Sequence, residues 1–152
     1  MVTGIIWAAA TAVVWAALFA ADFKNKPTER DVVYLPASLF AVGSVLLFAG
    51  SAAAVYGAVS GKWLIVPFGA IFDLVGIAAI LCRINQRTAL AEGESFTYTT
   101  FLGRKRTYMP SDVVDVRRNQ DSYTIVMKRG KIHVENMARV NEKFIKTLIS
   151  ER

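Results

Sequence analysis

Apolar residues fill three long blocks in the first 84 positions and then give way to short alternating stretches. The third block, within Lys62 to Arg87 (KWLIVPFGAIFDLVGIAAILCRINQR), is apolar from Trp63 to Leu81 apart from Asp73. As a helix at 1.5 Å per residue it is about 28 Å long, close to the hydrocarbon thickness of a bilayer. Gly4 to Ala21 (GIIWAAATAVVWAALFAA) makes a first block of about 27 Å. That is too long for a typical signal-peptide core, and no basic residue precedes it, because Lys24 is the first positive charge. The middle block runs from Val32 to Val59, with Tyr34 and Tyr56 near its ends, where amphipathic rings favour an interface. The pattern predicts spans at about 4–21, 33–58 and 63–82, a three-span transmembrane domain over residues 1–84. Asp22 to Asp31 is a polar connection, and Gly57, Ser60 and Gly61 form a turn that makes spans two and three a helical hairpin.

From residue 85 the period changes. Phe96 to Leu102 (FTYTTFL) is rich in Thr and aromatics, Gly103 signals a turn, and Arg104 to Met109 (RKRTYM) resumes extended, which predicts a hairpin. Pro110-Ser111-Asp112 breaks it. Val114 and Val116 then alternate with Asp115 and Arg117, Asn119 to Ser122 turns the chain, and Tyr123, Ile125 and Met127 alternate with Thr124, Val126 and Lys128. Arg129-Gly130 is another turn, before Ile132 and Val134 alternate with Lys131, His133 and Glu135. The expectation is an antiparallel meander of five or six strands, the sixth being Arg87 to Glu92. Asn141 is a candidate N-cap for a last helix with Phe144, Ile145, Leu148 and Ile149 on one face and Glu142, Lys143, Lys146 and Glu151 on the other. Its apolar stripe must cover the sheet, because a small meander cannot bury enough surface alone.

Strands followed by one C-terminal amphipathic helix are the order of a pleckstrin-homology-like barrel. The run FTYTTFLGRKRTYMPSDVVDVRRN, then YTIVMKRGKIHV, then the closing helix, resembles bacterial PH-like (bPH) domains over roughly Arg87 to Arg152. The resemblance implies a small PH-like β-barrel over 85–152, a binding or interaction module rather than a catalyst, of a kind often attached to a few transmembrane helices. It also implies that the basic early hairpin is a place for a phosphate headgroup.

Composition refines this picture. The 152 residues are 54% hydrophobic and carry a formal net charge of +6, which arises mostly after residue 85, where thirteen Lys and Arg face eight Asp and Glu. A tethered basic module meets anionic lipid before any other polyanion. One cysteine, Cys82, and one histidine, His133, exclude a disulfide framework and leave no ligand set for an all-protein zinc site. No cofactor motif, nucleophile elbow, P-loop or paired carboxylates can be assembled, so enzyme function is not expected. Three crossings place Lys24, Lys26, Arg30, Arg83 and Arg87 on one side and Lys62 on the other. The positive-inside rule then puts the N-terminus outside and the C-terminal half in the cytoplasm, and the bPH resemblance implies that the membrane is a bacterial inner membrane.

Among candidate sites, Asp73 is the most costly residue, since a carboxylate near a helix centre costs about 2.5 to 3.5 kcal/mol on insertion scales. Gly69 and Gly76 flank it on a narrow stripe, and Thr11, Ser44 and the Trp7 or Trp15 indole are candidate hydrogen-bond partners. Three roles are open to it: holding the helices in register, coupling to a proton or cation, or pairing with another protein's helix. Gly50, Ala54 and Ala58, like Ala53, Gly57 and Gly61, repeat every four residues and offer faces for close helix contact. Arg104, Lys105 and Arg106, extended by Arg117, Arg118, Lys128, Arg129 and Lys131, are candidates for lipid or partner contact; solvated strand edges that discourage aggregation are the plain alternative. The expected role is that of a scaffold or partner-binding accessory at the membrane, touching lipid and a membrane or cytoplasmic protein. A small transport or ion-coupled component using Asp73 is the alternative. Nucleic acid ranks last as a partner, for want of a stacking platform or recognition helix.

Overall fold

The computed structural model describes residues 2–91, 95–120, 122–135 and 137–150, so Glu92 and Glu151 lie outside it. Two compact units emerge, one of residues 1–26 with 37–84, the other of residues 27–36 with 85–152.

The first unit consists of three helices, α1 (Val2–Lys24), α2 (Ser38–Val59) and α3 (Ile65–Asn85), each long and apolar enough to cross a membrane. At most 28% of the apolar window of any of them is buried within the protein. Much of the rest, including Ile5, Val13, Phe19, Val45, Phe68, Phe72 and Leu74, is exposed. Contiguous apolar surface of this extent fits a membrane span by length and composition. Pro67 is the third residue of α3, within the first turn, where the N–H it lacks would have no partner inside the helix. Ser60 and Gly61 turn α2 back towards α3, with the Ser60 N–H donating to the Tyr56 carbonyl at 2.9 Å.

The second unit corrects the expected start of span two. Val32 to Tyr34 does not open a helix: β1 (Asp31–Tyr34) is a strand, and α2 begins only at Ser38. The reasons are local. Val32, Val33 and Tyr34 favour extended backbone, and Leu35 precedes Pro36, which disfavours a helical conformation at Leu35. Before the strand, Asp31 fastens a turn by accepting hydrogen bonds from the Thr28 N–H at 2.7 Å and the Thr28 hydroxyl at 3.1 Å.

Beyond α3 come β2 (Arg87–Leu90), β3 (Phe96–Thr99), β4 (Lys105–Tyr108), a 3-10 turn (Pro110–Asp112), β5 (Val113–Arg118), β6 (Tyr123–Met127), β7 (Gly130–Val134), β8 (Arg139–Val140) and α4 (Glu142–Ser150). One antiparallel sheet has the order β4-β3-β2-β1-β8 and a second has the order β5-β6-β7. Two strands are thus added to the expected meander: β1 from between the first two apolar helices, and β8 just before α4. The β3–β4 hairpin closes through a three-residue loop in which Gly103, at φ 77°, supplies the left-handed position. The Thr100 N–H donates to Arg104 O at 2.9 Å and the Gly103 N–H to Thr100 O at 2.8 Å. In β5 a register shift between Val113 and Asp115 turns the expected alternation, so Val113 is buried and Val114 is half exposed.

The core of this unit contains Val32 and Val33 from β1, Phe96, Val113, Ile125, Met127, Ile132 and Val134 from the other strands, and Phe144, Ile145 and Leu148 from α4. Phe96 meets Phe144 edge-on at 5.5 Å between ring centroids, so the closing helix is seated on the sheet through an aromatic pair. Asn141 caps α4 as expected, its Oδ1 accepting from the Lys143 N–H at 2.9 Å. Ile149, by contrast, is half exposed.

Because β1 lies between β2 and β8, a fragment starting at Gln86 lacks an interior strand of its sheet. Such a fragment is expected to show no dispersed amide spectrum by NMR, and joining residues 27–36 to it through a flexible linker should restore the dispersion. A well-dispersed spectrum from the fragment alone would count against the role of β1.

Candidate functional site

Within the helical unit, α2 and α3 approach through paired glycines. A Cβ added at Gly50 would lie 2.6 Å from Gly69 O, and one at Gly69 would lie 2.5 Å from Gly50 O. Two turns away, Gly43 and Gly76 stand in the same reciprocal relation, at 2.8 and 2.6 Å. No side chain fits between these backbones. The glycines recur every seven residues, Gly43, Gly50 and Gly57 on α2 against Gly69 and Gly76 on α3, and of the four-residue sets Gly50 and Ala54 face α3, a Gly69 Cβ lying 2.9 Å from Ala54 Cβ. Seven residues are close to two helical turns, so these glycines stay on one face.

Asp73 stands at the closest point, its main-chain N 2.8 Å from where a Gly50 Cβ would be. Next to Gly50, the Ser51 hydroxyl lies 3.1 Å from Asp73 Oδ1 and 3.2 Å from Oδ2. Ser51 Oγ is also 2.7 Å from Thr11 Oγ1, and the Thr11 hydroxyl donates to the Trp7 carbonyl at 3.0 Å. One polar chain therefore crosses all three helices. Thr11 and Ser51 are both buried. On one side of this chain an apolar groove of about 290 Å3, which includes Trp7, Leu47 and Ile77, reaches Asp73. On the other, a cleft of about 550 Å3 between α1 and α2 reaches Thr11 and Ser51.

Thr11 thus reaches Asp73 through Ser51, a residue the sequence pattern did not single out. Ser44, expected near the carboxylate, has other partners: it accepts from Trp15 Nε1 at 3.0 Å and donates to Phe40 O at 2.9 Å. Ser44 shares the face of Ser51 but lies two turns, roughly 10 Å, along the helix, at the level of the Trp15–Phe19 stack and not of Asp73. Arg83, counted from the sequence among the basic residues that set orientation, is buried in the last turn of α3, with its Nε 3.7 Å from Asp22 Oδ1. Neither atom makes a hydrogen bond, so the contact is an ion pair alone.

The basic residues occupy two sheets. Arg104 lies in the β3–β4 turn, and Lys105 and Arg106 are on β4, the outer strand of the larger sheet, where strand alternation sends them to opposite faces. On the smaller sheet Arg117 pairs with Asp115 at 2.9 Å, Lys128 with Asp112 at 3.8 Å, and the Arg118 guanidinium lies 5.7 Å from the Tyr123 ring centroid. Arg129 and Lys131 are exposed about the β6–β7 turn. His133 is exposed as well, its Nδ1 3.1 Å from the Thr124 hydroxyl. No group of three His, Cys, Asp or Glu side chains suited to a metal ion occurs among the described residues. Compared with family models, curated proteins and solved structures, the chain matches none.

The glycine contact predicts a direction opposite to ordinary helix propensity. Gly69→Ala would gain about 1 kcal/mol in an unhindered helix, but overpacking here is expected to cost about 1 to 3 kcal/mol. Thermal unfolding in detergent micelles should therefore show Gly69→Ala melting below the wild type.

Proposed function

We propose that this chain is a non-enzymatic integral membrane protein whose basic, PH-like unit mediates protein interaction at the bilayer surface, with anionic lipid as an additional contact. The single observation that carries the proposal is the place of β1. A strand that follows α1 is hydrogen-bonded beside a strand that follows α3, with Tyr34 opposite Arg87 and Val33 opposite Thr88. If the three helices cross a bilayer, both segments emerge on the same side, and the sheet unit is joined to the spans by three chain connections rather than one. A unit so tethered stays at headgroup level. Even weak contacts are then made at high effective concentration.

Two antiparallel sheets closed by a C-terminal amphipathic helix support the resemblance to bPH domains. The basic side chains support lipid contact, since each Lys or Arg close to an anionic surface contributes about 1 kcal/mol. Arg104 in the β3–β4 turn, with Lys105 and Arg106 on the outer strand, is the first choice for this contact. Arg117 and Lys128 contribute less, because each is already paired with an aspartate. The excess of basic residues beside the spans supports a cytoplasmic location for this unit, with the N-terminus outside. The partner is a membrane or cytoplasmic protein with an acidic face.

The proposal is tested by placing a photo-crosslinking residue at Arg129 of the full chain in native membranes. Capture of one defined protein is expected, weakened several-fold by Arg104→Ala, Lys105→Ala and Arg106→Ala together and by raised salt, as for partly screened charges. Capture of lipid alone would make the unit a surface anchor. Capture of neither would overturn the proposal.

A further inference from the structure

The polar chain in the helical unit can be counted in protons. It contains three oxygen-to-oxygen contacts in series: Trp7 O to Thr11 Oγ1 at 3.0 Å, Thr11 Oγ1 to Ser51 Oγ at 2.7 Å, and Ser51 Oγ to the Asp73 carboxyl oxygens at 3.1 and 3.2 Å. Each contact needs one hydrogen. A carbonyl oxygen only accepts, each hydroxyl carries a single proton, and an ionised carboxylate has none. Two hydroxyls cannot supply three contacts, so with Asp73 ionised one contact would set lone pairs against lone pairs. A neutral carboxylic acid supplies the missing hydrogen and gives every contact a donor.

We propose that Asp73 is a proton-binding site, filled in the packed bundle, with the acid donating to Ser51, Ser51 to Thr11, and Thr11 to the Trp7 carbonyl. That carbonyl has two lone pairs, so it can take the hydroxyl in addition to its helical N–H. The surroundings agree with the count. The groups facing Asp73 are Trp7 and Thr11 from α1 and Leu47, Gly50 and Ser51 from α2, and none of them carries a charge. The Trp7 side chain and the Ser51 main chain also hydrogen-bond the carboxyl, but an ionised carboxylate there would still face no positive charge in an apolar groove, a costly arrangement.

The direction of the chain also decides what the proton does. It ends on a main-chain carbonyl, which accepts a hydrogen bond but has no proton of its own to pass on. The proton is therefore held and not relayed, and its effect is to fasten α1 to the α2–α3 hairpin. Removing it would leave one of the three links unmade and put a charge beside the groove.

The test uses the full chain in lipid bilayers, with infrared absorption at neutral pH as the readout. The wild type should show a carboxylic acid carbonyl band that shifts on aspartate-specific carbon-13 labelling and disappears in Asp73→Asn. Ser51→Ala removes the acceptor of that proton, so the band should move to higher frequency. Asp73→Asn still offers an N–H to Ser51 and should preserve the α1–α2 distance measured between spin labels, whereas Asp73→Ala should lengthen it. Absence of an aspartate acid band from the wild type would overturn the proposal, as would a band unmoved by Ser51→Ala. The labelled wild-type spectrum needs no substitution, so it decides the matter even if a variant fails to fold.

Discussion

The pairing of Asp31–Tyr34 with Arg87–Leu90 is the constraint on which the rest depends. These two strands lie on either side of the α2–α3 hairpin in sequence, so their hydrogen bonds close a loop that contains both helices. Val32 and Val33 enter the same core as Phe96 and Phe144, and the salt bridge from Arg87 to Asp31, at 3.5 Å, reinforces the join. Without β1, the larger sheet would be cut into β2–β3–β4 and an isolated pair of residues at β8. Two unpaired edges would then be open to wrong partners. The helical unit and the sheet unit are thus separate in their packing but interleaved along the chain.

The helical unit rests on a different economy of space. Apolar helices in an apolar surrounding gain little from burying one another, so their association must come from close fit and from polar contacts. Here both occur at one level. The absence of a side chain at Gly50 and Gly69 lets two backbones approach, and the same approach places the Asp73 carboxyl against Ser51. Thr11 then extends the contact to α1. Trp15, Phe19, Phe40 and Phe48 make a second, aromatic contact between α1 and α2, which begins about one turn from the first. A bundle fastened at two levels resists both sliding and rotation.

Much of this could be read from the residues, and the exceptions have physical reasons. The three apolar helices announce themselves by length, and the α4 stripe by its period. The β-meander is legible wherever alternation lasts four residues or more. β8, only Arg139–Val140, is too short to have a period. β1 is hidden because Val32 to Tyr34 adjoins an apolar helix, although a run from Val32 to Val59 would span about 42 Å as a helix, well beyond a hydrocarbon core of about 30 Å. That excess, with Pro36 inside it, is the signal that a strand had been annexed to the span. Asp73 and Thr11 stood out as polar residues among apolar ones. Ser51 was concealed among glycine and alanine, and only the depth at which α2 meets α3 distinguishes it from Ser44. For the basic residues, sequence shows their number but not that β4 divides Lys105 from Arg106 between two faces.

The interleaved order of the chain has a consequence for how the molecule is made. Val33 pairs with Thr88 on one side and with Val140 on the other, so its second neighbour is synthesised more than a hundred residues after it. At a synthesis rate of about 5 to 20 residues per second, a β-prone segment waits for several seconds as an orphan. During that interval both helices of the α2–α3 hairpin are made. The larger sheet therefore closes only after they have been synthesised, and until then Val32, Val33 and Tyr34 wait without their strand partners.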